Sequence, residues 1–226
     1  MKVELIAITK PVKEGLCTAE DVIVHNARVS NPNNQMNVDT GGGLLRYCMK
    51  HKHFSVFEMA NMVLEIQTTR DISRQILRHR SFSYQEFSGR YSKMPEQPVI
   101  RETRLQDNVN KQNSIVCDDE SVITEFVRLQ DDTFTEAMTN YNLALSVGIA
   151  KEQARALLPE GLTQTTMYMN GTVRSWIHYV QVRCGVETQK EHRLIAKEVC
   201  KILIQEFPTL TDLLKPCLSE DYSAEV

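Results

Sequence analysis

Residues 70–91, RDISRQILRHRSFSYQEFSGRY, hold five arginines (Arg70, Arg74, Arg78, Arg80 and Arg90) against two acids, Asp71 and Glu86. A guanidinium offers a planar fork of donors that matches phosphate and carboxylate oxygens. The chemistry written here is therefore anion capture. On a helix, Arg74 and Arg78 lie one turn apart on the same face, with Gln75 beside Arg78. A solvated basic face that pairs with acids elsewhere is the plain alternative, and these residues alone leave it open. A second cluster falls in residues 171–183, GTVRSWIHYVQVR. Arg174 and His178 are four apart and share a helix face. Arg183, nine residues beyond Arg174, sits about 180° around at about 100° per residue. One helix can thus offer Arg174 and His178 to one ligand and turn Arg183 toward another ligand or subunit. Trp176 and Tyr179 share the side of Arg183 and read as core.

The bulk numbers narrow the class. The chain has 226 residues, a formal net charge of −3, 42% hydrophobic and 24% charged residues. That suits one domain over residues 1–226. An acidic balance argues against a dedicated duplex-DNA binder, so no nucleic-acid partner is expected. No apolar stretch approaches the roughly 20 residues that span a bilayer, and the first apolar run is too short for a signal core. The expectation is a soluble, cytoplasmic protein with no membrane partner. Six cysteines are scattered without a C-x-x-C pair and read as reduced, mostly buried thiols. Six histidines show no ligand spacing, so no metal is expected.

The elements that must position these groups follow from periodicity and caps. Val3 to Thr9 reads as a strand. Ala19 to Ala27 reads as a helix with Thr18 as N-cap. Gly41-Gly42-Gly43 lacks the Lys-Ser/Thr of a phosphate loop and reads as a flexible entry to a helix over 44–49. Met62, Leu64 and Ile66 alternate in a strand to about Thr69. Asp71 is expected to cap a helix from Ile72 to about Arg78, and Ser81 to Tyr91 to run extended. Residues 92–118 read as a long loop or insertion. A long helix follows over 121–147, with Val122, Phe126, Leu129, Phe134, Ala137 and Met138 at helical spacing and Gly148 ending it. A short helix at 150–158 stops at Pro159. A strand at 163–169 and helices at 172–182 and 190–206 complete the chain. Strands and helices mix without regular βαβ alternation, which points to α+β.

The string Arg78-His79-Arg80, seven residues, then Ser88 resembles the R-H-R-x7-S signature of flavin-dependent thymidylate synthases. The longer pattern R-H-R-x-x-S-x-N-E-x-S-x-R-Y is matched at Arg78, His79, Arg80, Ser83, Glu86, Ser88, Arg90 and Tyr91, and departs at Gln85, where Asn is usual. Flanking segments extend the resemblance. His51 to Glu58 resembles H-x-S/T-x-x-E, Arg155 to Pro159 resembles A-R-x-x-L-P, and Gly171 to Tyr179 with Arg183 resembles R-S-W-x-H-F/Y…R. Thr188 to Glu191 resembles A/T-Q-x-E. Residues 92–118 fall outside the matched segments.

The resemblance implies an α+β fold with a mixed or antiparallel sheet packed with long helices, assembled as a homotetramer whose active sites are shared between protomers. It implies FAD as cofactor, dUMP as substrate, and methylenetetrahydrofolate and NADPH as co-substrates. Ser55, Arg78, His79, Arg80, Glu86, Thr172, Arg174 and His178 are then expected to contact FAD. Gln75, Arg78, Glu86, Ser88, Gly89, Arg90, Arg155 and Arg183 are expected to bind dUMP. Catalytic roles fall to Arg183, which would stabilise charge on the uracil, to Ser88 as a substrate-orienting group, and to His53, which with Tyr91 would face flavin and folate. Glu58 is either a site residue or the partner of an arginine. His192 reads as a surface residue and Cys184 as structural.

Two other readings stay open at this point. One is a single-strand nucleic-acid module that stacks bases on Phe82, Tyr84, Phe87 and Tyr91 beside the arginines. The other is a nucleotide-binding homo-oligomer without activity.

Overall fold

Alternating burial builds the central sheet. The computed structural model describes residues 1–224. In chain order its elements are β1 (Lys2–Ile8), α1 (Ala19–Ala27), α2 (Gly41–Lys50), β2 (Asn61–Thr69), α3 (Arg70–Ile76), β3 (Ser83–Glu86), β4 (Arg104–Gln106), β5 (Ser114–Val116), α4 (Glu120–Ser146), α5 (Lys151–Ala154), β6 (Gln164–Thr172), α6 (Val173–Arg183), α7 (Lys190–Glu206) and α8 (Thr211–Leu214). On β2, Met62, Leu64 and Ile66 are fully buried while Val63, Glu65 and Gln67 are half-buried. On β6, Thr165, Met167 and Met169 are buried while Tyr168 and Asn170 face out. This period of two is what a strand with one packed face requires. A four-stranded sheet runs in the order β1-β2-β6-β3, and β4 pairs with β5 in an antiparallel hairpin. The α+β class is as expected.

The chain divides into two compact units. The first comprises Met1–Ile66, His79–Gln85 and the described chain from Tyr168 on. Its core holds Trp176, Tyr179, Phe57, Phe207, Ile23 and Leu45, all at most 1% exposed. Each such side chain contributes roughly 1.5–3 kcal/mol of burial. Trp176 Nε1–H donates to the Met62 carbonyl at 3.1 Å, so the indole is buried with its donor used. Helix α1 starts as its sequence demands. Thr18 accepts from the Asp21 N–H, and Asp21 accepts from the Thr18 N–H, a complete capping box. The triple glycine is not a loose entry: α2 begins at Gly41 itself, with Gly41 lying against the Val24 side chain. The free thiols divide sharply. Cys17 is exposed, and Cys48, Cys117, Cys184, Cys200 and Cys217 are buried. The neighbouring Cys200 thiol and burial push Cys184 up, which keeps it protonated and fits its structural reading.

The second unit comprises Gln67–Arg78 and Glu86–Met167. Its core is built by Phe134, Met138 and Tyr141 of α4 with Met94, Ala154, Leu158 and Leu162. The Met94 N–H donates to the Tyr141 hydroxyl at 3.1 Å. Gly148 at φ +89° closes α4 as expected, because that conformation favours glycine. The N-terminal half of α4 departs from its apolar spacing: Val122, Phe126 and Leu129 are each about 40–50% exposed.

One expectation needs correction here. Helix α3 begins at Arg70, not Ile72, and Thr69 stands at its N-cap. Asp71 is taken instead by Arg101, whose Nη2 lies 2.6 Å from Asp71 Oδ1 and 2.6 Å from Thr69 Oγ1. The stretch 92–118, expected as a long loop or insertion, carries a short hairpin. Arg101 ties it down, donating also from Nε to the Gly161 carbonyl at 3.1 Å, and residues 104–116 then fold into the β4–β5 hairpin.

Candidate functional site

In the first unit, a cleft of about 420 Å³ opens beside the start of α6. It is lined by Phe54, Glu58, Ser81, Arg174, Ser175 and His178, among others. Thr172 caps α6 by accepting from the Ser175 N–H at 3.2 Å. That fixes the helix so that Arg174 and His178, one turn apart, face the same cavity. Arg174 Nη1 donates to Glu58 Oε1 at 2.9 Å, so Glu58 pairs with an arginine while also lining the cleft. The helix N-terminus and Arg174 both favour an anion there. Ser55 and Arg80, also expected at a cofactor, are exposed and outside this lining, and Thr172 spends its hydroxyl on the cap.

The approach of residues 79–82 to α6 explains a glycine. A Cβ at Gly171 would fall 2.3 Å from Phe82 Cδ1. The Phe82 ring lies over that glycine and meets Trp176 edge-on at 4.6 Å. Of the four rings offered for base stacking, Phe82 is buried and Tyr84 and Phe87 are half-buried. Tyr91, 84% exposed, stands alone among those four.

Arg183 does turn away from Arg174, as helical geometry requires. It donates from Nε to His79 Nε2 at 2.8 Å. The Tyr84 hydroxyl donates to the His79 carbonyl at 2.7 Å, and burial pushes that phenol up to about 12. Tyr179 is fully buried and meets His79 edge-on, ring centres 5.0 Å apart. The expectation for His192 is overturned. It is fully buried, with Nε2 3.0 Å from the Tyr179 hydroxyl. Burial above all, then the nearby Arg183 guanidinium, pulls its pKa down to about 3, so it is a neutral imidazole. The reason for the error is helical phase. On α7, Ile195, Ala196, Val199 and Leu203 are buried, and His192 shares their face. His53 is exposed, at the edge of a ring cluster with Tyr47 and His51.

In the second unit a cleft of about 380 Å³ is lined by Arg70, Arg74, Arg155, Glu152 and Glu160, with Met94 and Leu158 beneath. Three guanidiniums around one cavity are suited to an anionic ligand. Arg74 reaches Glu160 at 2.9 Å, and Arg90 reaches Glu152 at 3.3 Å. Glu86 is held from two sides, Ser73 Oγ and Thr165 Oγ1 each donating to Oε1 at 2.9 Å. Of the residues expected at the nucleotide, Arg155 lines the cleft. Ser88 is exposed, and its carbonyl accepts from the Tyr91 and Ser92 N–H groups at 3.1 Å. Gly89 is buried because Met94 lies over it, where a Cβ would meet sulfur at 2.5 Å. Gln75 is half-buried and Arg78 exposed. Sequence reasoning noted Arg70 and Arg74 but gave them no role, and missed Glu152 and Glu160. The i, i+4 spacing of Arg70, Arg74 and Arg78 was the available signal. The three residues expected to be catalytic divide: Arg183 and His53 belong to the first unit, Ser88 to the second.

Both clefts set arginine guanidiniums in an α+β frame, a donor chemistry suited to anions. Comparison gives the lineage. The chain belongs to the family described as thymidylate synthase complementing protein, whose model matches residues 14–209. It is 49% identical over 214 residues to a probable flavin-dependent thymidylate synthase of Paramecium bursaria Chlorella virus 1, covering 95% of this chain and 99% of that one. It is 48% identical over 218 residues to a flavin-dependent thymidylate synthase of Synechocystis sp., covering 95% of this chain and all of that one. In fold it is similar to a UMP/dUMP methylase, PolB from Streptomyces cacaoi, solved with 5-Br dUMP. The TM-score is 0.81 at 24% identity, over 95% of this chain and 94% of that one.

Proposed function

We propose that this chain is a flavin-dependent thymidylate synthase, which methylates the uracil of dUMP to give dTMP. Methylenetetrahydrofolate is the carbon donor and NADPH the reductant, working through FAD. The observation that carries this reading is the likeness over 95% of the chain, at 48–49% identity, to one protein of that name and one named as a probable one. The local chemistry supports it. FAD carries a pyrophosphate, and the first-unit cleft offers Arg174, His178 and the N-terminus of α6, a donor set that fits an anion. Ser55, Arg78, His79, Arg80, Glu86 and Thr172 complete the set that would hold the cofactor. When bound, FAD supplies the hydride chemistry that no side chain can.

The chain's own residues bind, orient and stabilise. Arg155, with Arg70 and Arg74 beside it, gives the nucleotide phosphate a cationic seat. Gln75, Arg78, Glu86, Ser88, Gly89 and Arg90 would orient the sugar and base. Arg183 stabilises the negative charge that develops on the uracil as C5 becomes nucleophilic. His79 accepts its Nε–H and so fixes the guanidinium fork. His53 and Tyr91, both exposed, would face flavin and folate. The active form is a homotetramer with sites shared between protomers, and the protein is cytoplasmic.

The test is direct. Purified protein is examined for a visible flavin spectrum, for mass in solution by light scattering, and for dTMP formed from dUMP with folate and NADPH. A yellow tetramer that makes dTMP is the expected result. A colourless protein that takes up no FAD and forms no dTMP would end the proposal.

A further inference from the structure

Three rings stand in series behind the guanidinium of Arg183. His79 accepts the Arg183 Nε–H on Nε2 at 2.8 Å. Tyr179 meets the His79 ring edge-on, centres 5.0 Å apart and planes at 74°. The Tyr179 hydroxyl meets His192 Nε2 at 3.0 Å, and both residues are fully buried. His79 and His192 are themselves edge-on, centres 6.3 Å apart.

Accepting from Arg183 fixes the state of His79. The lone pair must be on Nε2, so the proton sits on Nδ1 and the ring is neutral. A protonated His79 would offer no acceptor and would set two cations side by side. The direction of the Arg183 fork therefore depends on where the His79 ring stands. One wall of that ring is Tyr179. The phenol cannot lean freely, because a buried hydroxyl without a partner is strongly disfavoured, and here its partner is His192. Burial keeps His192 uncharged, so it stays a compact neutral partner across the physiological range.

We propose that His192 is a positioning residue for the reaction: through the Tyr179 hydroxyl it fixes the wall against which His79 stands, and so holds the His79–Arg183 pair in register. The inference rests on the reading of Arg183 as the group that activates the uracil.

Four variants test it: His192→Leu, His192→Gln, Tyr179→Phe, and the His192→Leu/Tyr179→Phe double. Turnover is expressed per bound flavin, and the His79 ring nitrogens are followed by 15N resonance. His192→Leu is expected to lower kcat on the order of ten- to a hundredfold, as a small displacement at a reacting group does, with KM for dUMP and flavin content changed far less. His192→Gln, which keeps a hydrogen-bonding group in reach of Tyr179, restores most of the loss. In the Tyr179→Phe background, His192→Leu adds nothing further, because its whole effect runs through that hydroxyl. The His79 spectrum shows one Nδ1-protonated tautomer in the parent and in His192→Gln, and a mixture in His192→Leu. Unchanged kcat in both folded single variants overturns the proposal, and so does an identical His79 spectrum in all of them. If His192→Leu does not fold, Tyr179→Phe decides alone. A parent that makes no dTMP would sink the functional reading above, while the His79 spectra would still decide whether His192 sets the register.

Discussion

Arg183 and His79 are 104 residues apart in sequence and 2.8 Å apart in space. The bond joins the two segments richest in chemistry-bearing residues, the R-H-R stretch and the last turn of α6. Through it, a residue expected at the flavin becomes the anchor of one expected at the uracil.

Removing the guanidinium should therefore separate chemistry from cofactor binding. Arg183→Ala is expected to cut turnover by about 10²–10³-fold, the usual loss when a donor to developing charge is removed. Flavin content, read from visible absorbance, should stay near that of the parent. Arg183→Lys should recover little, since an ammonium has no fork to share between His79 and a ligand. Retained turnover in Arg183→Ala would remove Arg183 from the mechanism.

Arg174 predicts the opposite pattern. Its pair with Glu58 is half-exposed, so breaking it should change the melting of the flavin-free protein by less than about 1 kcal/mol. Loss of a charge-assisted bond to a cofactor phosphate is larger, roughly 1.5–3 kcal/mol. Arg174→Ala should thus weaken FAD binding by about ten- to a hundredfold at nearly constant stability. Titration of the flavin-free protein with FAD measures it, and an unchanged affinity would take Arg174 out of the cofactor site.

Gly171 tests the packing beneath the site. An alanine there puts a methyl 2.3 Å from the Phe82 ring, and the ring is wedged against Trp176. Gly171→Ala should cost about 1–3 kcal/mol, as overpacking of a filled core does. Urea unfolding reads this as a lower midpoint at unchanged slope. A midpoint equal to the parent's would mean the ring yields freely.

How much of this was legible beforehand depends on range. The Thr18 N-cap, the strand to about Thr69 and the glycine stop at 148 were written in local spacing, and they stand. So was the division of α6 into an Arg174–His178 face and an Arg183 face, because helical phase is arithmetic. What escaped was set by contacts from far along the chain. Asp71 looks like a cap until Arg101, 30 residues on, takes its carboxylate. The stretch 92–118 looks like a loop because its hairpin strands are three residues each, too short to show alternation. His192 is different: it looks like surface beside Lys190 and Arg193, yet it shares the helix face of Ile195, Ala196, Val199 and Leu203, which the fold buries. Glu152 and Glu160 gain meaning from the arginines that α3 brings to the same cleft.

His192 also makes a pH prediction. Its pKa falls from the ordinary 6.5 to about 3 in the fold. Between those values the unfolded chain binds a proton that the folded one does not. Stability therefore falls as pH drops below about 6.5, by at most about 1.4 kcal/mol per pH unit from this one group. His192→Gln should flatten that part of the stability curve. Denaturant melts of parent and variant from pH 7 to 5 give the comparison, and parallel curves would show that the imidazole does not carry the dependence.

The sharp division of the thiols has a practical meaning. Five sulfurs are sealed inside and Cys17 alone meets solvent, its backbone held by a 2.9 Å bond from its N–H to Asp21 at the head of α1. A maleimide dye or spin label will address position 17 ahead of all the others. The natural chain thus carries a ready handle for fluorescence or distance measurements, fixed at its base and requiring no cysteine to be engineered in or out.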